Sequence, residues 1–406
     1  MPKKPNKSGE LQEYVPAGNG DASGEYGDAD GNNRHFTSWK NPHTEESGIA
    51  VVTGEKPAEV ETKQDGFAEY LQKNHNNDFG KRVERDYNAG NAEHKALINT
   101  AISKYGVELN ETSGTSYYRP LANSVNLNAP QQYGKYSGKE EGETLYHEFW
   151  HANDDVVCRD GFLTDEDKKK ALEYADRSTR SRYTQLEARI GIVMNASTCK
   201  YLSNGMTLHQ TILAEFKQMK RSGVFDEMRK EYNKHVMDKV LEKVPEYEKA
   251  KEWIDETERR IQKEAYEQFP YSTYGGDAWN KRREYEKQQY DLLKEESDKY
   301  KAIKSEGDKA KLEAGHEVGT YFMSLSDMYG IAHNDGYGFC GGHGTSYCKQ
   351  RFSEAHEFIA EYGSAKARTS ENAKKELDLF KKYMPKSSQA CEELQDLIIK
   401  HMGAKQ

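Results

Sequence analysis

The chain has little hydrophobic material and few cysteines. Only 35% of its 406 residues are hydrophobic while 31% are charged, so part of the chain must lie outside any packed core. The five cysteines form an odd and sparse set, which indicates reduced thiols rather than a disulfide scaffold. They are Cys158, Cys199, Cys340, Cys348 and Cys391.

Long apolar runs and a net positive charge are also missing. No stretch of about eighteen apolar residues occurs, which predicts no transmembrane helix. Lysines near the N-terminus are not followed by an apolar run, so no classical secretory signal is predicted. The net charge of -9 argues against a nucleic-acid partner. Together these absences favour a cytoplasmic protein, or one that is secreted or injected without a classical signal.

What the sequence does contain is an H-E-x-x-H pattern, formed by His147, Glu148 and His151. On a helix, residues four apart lie on one face, so both imidazoles can bind one Zn²⁺ ion. Glu148 can then point at the zinc-activated water, which makes it the predicted general base of a metallopeptidase. The surrounding residues are apolar and predict a buried helix. They are Leu145, Tyr146, Phe149, Trp150 and Ala152.

A second candidate element lies near the C-terminus. Glu354, Glu357 and Glu361 are spaced three and four apart, so on a helix they share one face. That face can supply a third zinc ligand and a carboxylate that supports a ligand histidine. Tyr347, just before it, is a candidate hydrogen-bond donor to the oxyanion of an attacked carbonyl. Glu187, on a helix predicted downstream of the motif, has ordinary spacing for a third ligand and remains an alternative.

Three stretches together, HEFWHANDD, TSYCKQRFSEAHEFIAEYGSA and LFKKYMPKSSQACEELQDLIIK, resemble the catalytic domain of anthrax lethal factor. They equally resemble the metallopeptidase-like domain at the C-termini of phage minor head proteins and related toxins. The resemblance covers about residues 105–155 and 320–400. It implies an α+β, zincin-like fold that is mostly helical with a small sheet. It also implies a zinc-dependent endopeptidase with a protein or peptide substrate, in a phage-associated or toxin and effector context.

The resemblance assigns roles residue by residue. It makes Glu357 the third zinc ligand beside His147 and His151. Asp154 matches the acidic residue that follows the motif in the family, where it orients a ligand histidine. Glu361, on the acidic face, is the other candidate for supporting a ligand histidine.

The sequence also departs from the family. Trp150 stands where a glycine usually precedes the second histidine, and the separation of the motif from the acidic element is far longer than in lethal factor. The spacing after Tyr347 therefore keeps Glu354 open as third ligand, as Glu187 also remains. A structural zinc site at Cys340, His343 and Cys348 matches no standard spacing. The departures favour one alternative function, a catalytically silent structural protein of a phage or mobile element that retains the fold.

The domain organisation follows from composition and periodicity. Residues 1–60 are predicted to be a disordered polar tail, because polar residues and glycine dominate there. Three short strands are predicted at 106–109, 116–119 and 124–128, ahead of the motif. The metallopeptidase domain is predicted in two halves, 61–155 and 316–406, around a charged helical insertion at 156–315. Within the insertion, a helical hairpin over 246–304 is a candidate partner-binding arm.

Overall fold

The structure is a computed structural model. It describes residues 66–129, 139–174, 195–270, 276–334, 338–349 and 352–403, together with the backbone of five strands nearer the N-terminus. No helix among the described residues is long and apolar enough to cross a membrane, as the lack of long apolar runs predicts.

The first 53 residues contain paired strands where a disordered tail was expected. The strands are β1 (Lys3–Pro5), β2 (Leu11–Glu13), β3 (Ser23–Gly27), β4 (Asn33–Lys40) and β5 (Ser47–Thr53). β1 pairs with β2, and β3, β4 and β5 form an antiparallel sheet in that order. The sequence of β5, SGIAVVT, is rich in β-branched residues, which favour strands. Composition averaged over the whole tail hid this local preference.

The described part of the chain is mostly helical with a small three-stranded sheet, so the α+β class is confirmed at this level. The sheet contains β6 (Glu108–Glu111), β7 (Tyr117–Arg119) and β8 (Ser124–Leu127), close to the three predicted strands. β8 lies in the centre, parallel to β6 and antiparallel to β7. Val125 and Leu127 of β8 are fully buried, as their alternation predicts.

Two compact units divide the chain. The first contains residues 1–134, 139–225 and 321–406, and the second contains 135–138 and 226–320. This differs from the predicted insertion at 156–315, because residues 156–225 belong to the first unit. Helix Leu208–Ser222 shows why: its Glu215 carboxylate accepts hydrogen bonds from the backbone N–H groups of Lys386 and Ser387, at 3.1 and 2.8 Å.

The first unit is built from helices around the small sheet. Before the sheet come Gly66–Asn74, Asp78–Asn88 and Ala92–Ser103; after it come Glu143–Val156, Asp165–Tyr174, Ala196–Cys199 and Leu208–Ser222. The C-terminal helices are Thr345–Cys348, Ser353–Ala367, Glu371–Tyr383 and Pro385–Met402. Pro385 begins the last helix, where a missing backbone N–H costs nothing.

The second unit contains helix Tyr247–Gln268, helix Asp277–Leu292 and most of two longer helices, Val224–Lys243 and Lys294–His333. In the sequence, Tyr247, Ile254 and Ile261 recur every seven residues, which predicts a seam along one helix, and all three are buried. Tyr285 and Leu292 repeat in the same way on the returning helix, but Leu292 is 78% exposed, so the expectation of a buried residue there is wrong. Tyr300 instead stacks on Trp253 with ring centroids 4.7 Å apart. A partner-binding role for this unit stays a prediction.

Candidate metal centre

Two helices of the first unit bring the candidate residues together. The motif helix, Glu143–Val156, carries the H-E-x-x-H residues, and the acidic helix, Ser353–Ala367, carries the glutamates. The motif helix begins at Glu143, directly after Gly142, which has a φ of 81°. A Cβ on Gly142 would also lie 2.8 Å from the Asp86 carbonyl oxygen, so this close approach requires glycine.

Three side chains converge on one point between these helices. The Nε2 atoms of His147 and His151 are 3.0 Å apart. The Glu357 carboxylate lies 3.5 Å from each of them, through Oε2 to His147 and through Oε1 to His151. Two ligands bound at about 2.0–2.1 Å to a tetrahedral zinc are separated by about 3.3–3.4 Å. The observed separations therefore fit a single zinc ion.

The Glu357 carboxylate is buried in a way that calls for a cation. It is 1% exposed, and its Oε2 atom has no hydrogen-bond partner. An unpartnered buried carboxylate oxygen is costly unless an ion or a proton satisfies it. Burial would raise the pKa of Glu357, but His147, His151 and His343 hold that pKa well below its usual value. The carboxylate is therefore charged and able to bind a metal.

Glu361 supports the first histidine from the same helix face. Its Oε1 atom lies 3.7 Å from Nδ1 of His147, the nitrogen turned away from the candidate metal position. Burial opposes ionisation, yet His147 lowers the pKa of Glu361 to about 2. Burial also lowers the pKa of His147, but Glu361 and Glu357 outweigh it and raise that pKa to about 10. This is the place expected for a carboxylate that orients a ligand histidine.

Glu148 and Tyr347 border the same position. Glu148 directly follows His147 in the motif helix and is 6% exposed. The Tyr347 hydroxyl donates a hydrogen bond to Oε1 of Glu357. Burial, and next the Glu357 charge, raise the pKa of Tyr347 far above its usual value, so the phenol keeps its proton.

Trp150 fits because the facing helix has no side chain opposite it. The indole is 1% exposed and lies against Gly363 of the acidic helix. A Cβ on Gly363 would be 2.3 Å from the Cδ1 and Nε1 atoms of Trp150. The small residue that the motif lacks before His151 is thus found on the partner helix, which allows the two helices to approach closely.

Asp154 does not orient a ligand histidine, which corrects its predicted role. Its carboxylate accepts hydrogen bonds from the backbone N–H and the hydroxyl of Ser197, both at 2.6 Å. Its Oδ2 atom also lies 3.3 Å from Nδ1 of His356. These hydrogen bonds direct the Asp154 side chain toward helix Ala196–Cys199, which contains Ser197. His356 supplies a partner for this buried carboxylate.

Of the two alternative third ligands, Glu354 and Glu187, the structure describes only the first. Glu354 is hydrogen-bonded to Nδ1 of His209 and, among the described residues, does not lie close enough to His147 and His151 to share a metal ion with them, so it is not the third ligand of this cluster. His209 is itself buried, and its ring contacts Phe352 with centroids 4.8 Å apart. Glu187 lies outside the described residues. The cysteines proposed for a structural zinc, Cys340 and Cys348, are likewise in neither metal-binding group.

Two further residues adjoin the site, and the sequence singled out only one of them, His343. Asp327 pairs with His343 at 2.7 Å between Oδ2 and Nδ1. Asp327, His343 and Glu357 also lie close enough to form a second group of possible metal ligands. Burial lowers the pKa of His343, but Asp327 and Glu357 outweigh it and raise that pKa to about 9. Asp327 belongs to a long helix whose sequence carries no motif, so spacing alone could not have found it.

A buried polar chain leads from the site to the domain interior. The Ser324 hydroxyl contacts both Glu361, at 2.7 Å, and Glu376. Glu376 in turn accepts a hydrogen bond from the Arg368 guanidinium at 2.6 Å. Burial is the main cause that raises the pKa of Glu376 to about 8. These hydrogen bonds hold the Glu361 carboxylate in place, and Glu361 in turn orients the His147 ring.

Comparison with known proteins identifies no significant match: no family model, no curated protein and no solved structure matches this chain. The chemistry of the site therefore has to be argued from its own residues.

Proposed function

We propose that the protein is a zinc-dependent metalloendopeptidase with a zincin-like fold. The observation that carries the proposal is the convergence of His147, His151 and Glu357 at separations that suit one tetrahedral zinc ion. The unpartnered Oε2 atom of Glu357 supports it, because a buried carboxylate oxygen in this position needs a cation. The resemblance to lethal factor and to phage minor head proteins points to the same chemistry.

In this proposal His147, His151 and Glu357 hold the zinc. A zinc ion with three protein ligands lowers the pKa of a bound water and polarises a carbonyl oxygen. Glu361 keeps the imidazole of His147 oriented through its Nδ1 atom, and Ser324 keeps Glu361 in place through a 2.7 Å hydrogen bond.

The reaction uses two further side chains. Glu148 accepts a proton from the water that attacks the peptide carbonyl, and later delivers it to the leaving amine. Tyr347, whose phenol stays protonated, donates a hydrogen bond to the oxyanion of the tetrahedral intermediate. For this the phenol must exchange its hydrogen bond to Glu357 for one to substrate.

Metal content and turnover test the proposal together. We expect one zinc per purified chain by elemental mass spectrometry, lost in His147→Ala and in Glu357→Ala. Glu354→Ala is the matched control, because it removes a carboxylate from the same helix but not from the zinc cluster, and should keep the metal.

Activity is measured on a peptide library by mass spectrometry. Glu148→Gln should keep the zinc but lose nearly all cleavage. A wild-type protein that binds no stoichiometric zinc, or a Glu148→Gln variant that cleaves at the wild-type rate, would show the proposal to be wrong. Zinc binding without any turnover would favour the catalytically silent structural protein.

A further inference from the structure

One serine hydroxyl next to the metal centre lies between two carboxyl groups. Oγ of Ser324 is 2.7 Å from Oε2 of Glu361 and is also within hydrogen-bond distance of Oε1 of Glu376. Ser324 and Glu376 are 4% and 3% exposed. A serine hydroxyl has one proton and donates to one acceptor. One of the two carboxyl groups must therefore bring a proton of its own, because otherwise two oxygen acceptors would face each other without a hydrogen between them.

The charges around Glu376 indicate that the extra proton belongs there. Its other oxygen, Oε2, accepts a hydrogen bond from the Arg368 guanidinium at 2.6 Å. The same guanidinium lies 2.9 Å from Glu140 and 3.6 Å from Glu143, so three carboxyl groups share one positive charge. Arg368 is 5% exposed, and excess negative charge at a buried place is costly. A proton on one of the three carboxyl groups removes that excess.

The other two carboxyl groups are supplied with donors. Glu140 accepts hydrogen bonds from the Ser370 hydroxyl at 2.6 Å and from the Asn372 side chain at 2.8 Å. Glu143 accepts one from the backbone N–H of Glu140 at 3.0 Å. Donors of this kind favour the charged form of a carboxyl group. Glu376 is the group whose second oxygen faces a hydroxyl with another acceptor to serve.

A proton on Oε1 of Glu376 gives each of these atoms a partner. Glu376 then donates to Ser324, and Ser324 donates to Glu361. The charged groups near Glu376 are Arg368, Glu361 and Glu143. Burial outweighs the favourable Arg368 charge and raises the pKa of Glu376 to about 8, which agrees with this arrangement. Oε1 of Glu361 faces Nδ1 of the candidate zinc ligand His147, at 3.7 Å, so the chain of contacts ends at the metal centre.

We propose that Glu376 is a neutral carboxylic acid and a positioning residue for the metal centre. Its proton turns the Ser324 hydroxyl toward Glu361, which fixes the Glu361 carboxylate beside the His147 ring. This inference rests on the proposed zinc site. The proton stays on Glu376, and no covalent step is involved.

Infrared spectroscopy locates the proton without any need for metal or substrate. Below the Glu376 pKa, the wild type should show the carbonyl stretch of a buried, protonated carboxylic acid, and Glu376→Gln should lack that band. The band should disappear from the wild type as pH rises through about 8. Glu392→Gln is the matched control. It removes a glutamate whose pKa is held below its usual value despite burial by Tyr362 and Lys381, so it should leave the band unchanged.

Zinc affinity, measured by competition with a chromophoric chelator, tests the positioning role. Ser324→Ala and Glu376→Met each break the chain, and we expect each to lower affinity about tenfold, at the low end for residues that orient a ligand histidine. Glu376→Gln can donate an amide N–H to Ser324 and accept from Arg368, so it should stay within about threefold of wild type. Above the Glu376 pKa, affinity of the wild type should fall relative to Glu376→Gln, which does not titrate.

Other results would overturn the inference. An infrared spectrum that is the same in wild type and Glu376→Gln below this pKa would show that Glu376 carries no proton. Wild-type zinc affinity in Glu376→Met would remove its positioning role, and Glu376→Gln binding as weakly as Glu376→Met would show that a carboxylate is needed instead. Failure of the proposed function is distinguishable, because it is a wild-type protein that binds no stoichiometric zinc, whatever the infrared band shows.

Discussion

Gly363→Ala should weaken both the fold and the metal centre, although alanine is the better helix former. In an open helix position, glycine to alanine stabilises by about 1 kcal/mol. Here the new Cβ would lie 2.3 Å from two atoms of the Trp150 indole, where nonbonded carbon atoms normally stay about 3.5–4.0 Å apart. The two helices must therefore separate by about 1 Å, or the indole must leave its rotamer.

Neither adjustment is easy, because Trp150 is 1% exposed and closely packed. Overpacking of a buried site costs about 1–3 kcal/mol, so the net loss after the propensity gain is about 1–2 kcal/mol. The helix shift also moves Glu357 relative to His147 and His151. Zinc–ligand distances tolerate only about 0.2 Å, so we expect zinc affinity to fall about tenfold or more.

Urea unfolding followed by circular dichroism, with a chelator present, measures the first effect, and zinc competition with a chromophoric chelator measures the second. Gly319→Ala is the matched control, since Gly319 is also within a helix and its Cβ would meet nothing within 4 Å. That variant should be slightly more stable than wild type. If Gly363→Ala behaves like Gly319→Ala in both assays, the close approach of the motif and acidic helices is not what positions Glu357.

Three further predictions concern buried polar groups. Because burial raises the folded-state pKa of Glu376 from 4.5 to about 8, wild-type stability should decrease as pH rises between these values, and Glu376→Gln should flatten that slope in urea titrations at several pH values. Burial lowers the pKa of His94 from 6.5 to about 3, so its contribution to stability is lost as pH falls through this range; His94→Gln should unfold with a shallower acid dependence, and an unchanged profile would contradict this. Asp154→Asn should destabilise by about 1–3 kcal/mol, since it disturbs charged hydrogen bonds to Ser197, yet it should leave zinc content at one per chain; loss of zinc would restore its predicted role at the metal.

Local pattern was sufficient to predict several elements. The spacing of His147 and His151 placed both imidazoles on one face of a buried helix, and the structure brings their Nε2 atoms within 3.0 Å. Alternation in β8 and the heptad positions Tyr247, Ile254 and Ile261 also correspond to buried residues. These features depend on residues a few positions apart, where helix and strand periodicity alone fix the geometry.

Predictions that depended on a neighbour distant in sequence did less well. Asp154 was expected to support a ligand histidine. Its carboxylate instead accepts a hydrogen bond from Ser197 and contacts His356, two residues that only tertiary packing brings near it. The tail composition concealed the pairing of β3, β4 and β5, because strand pairing is a property of two segments.

By itself, then, the sequence determined the pair of imidazoles on one helix face, the neighbouring Glu148 and an acidic helix with three candidate carboxylates. Only the tertiary structure distinguished the carboxylates within that helix. Glu354 is hydrogen-bonded to His209, whereas Glu357 faces His147 and His151. It also supplied Asp327 and Gly363, which carry no motif. A local pattern fixes which face of a helix a side chain occupies, but what that face meets is set by long-range packing.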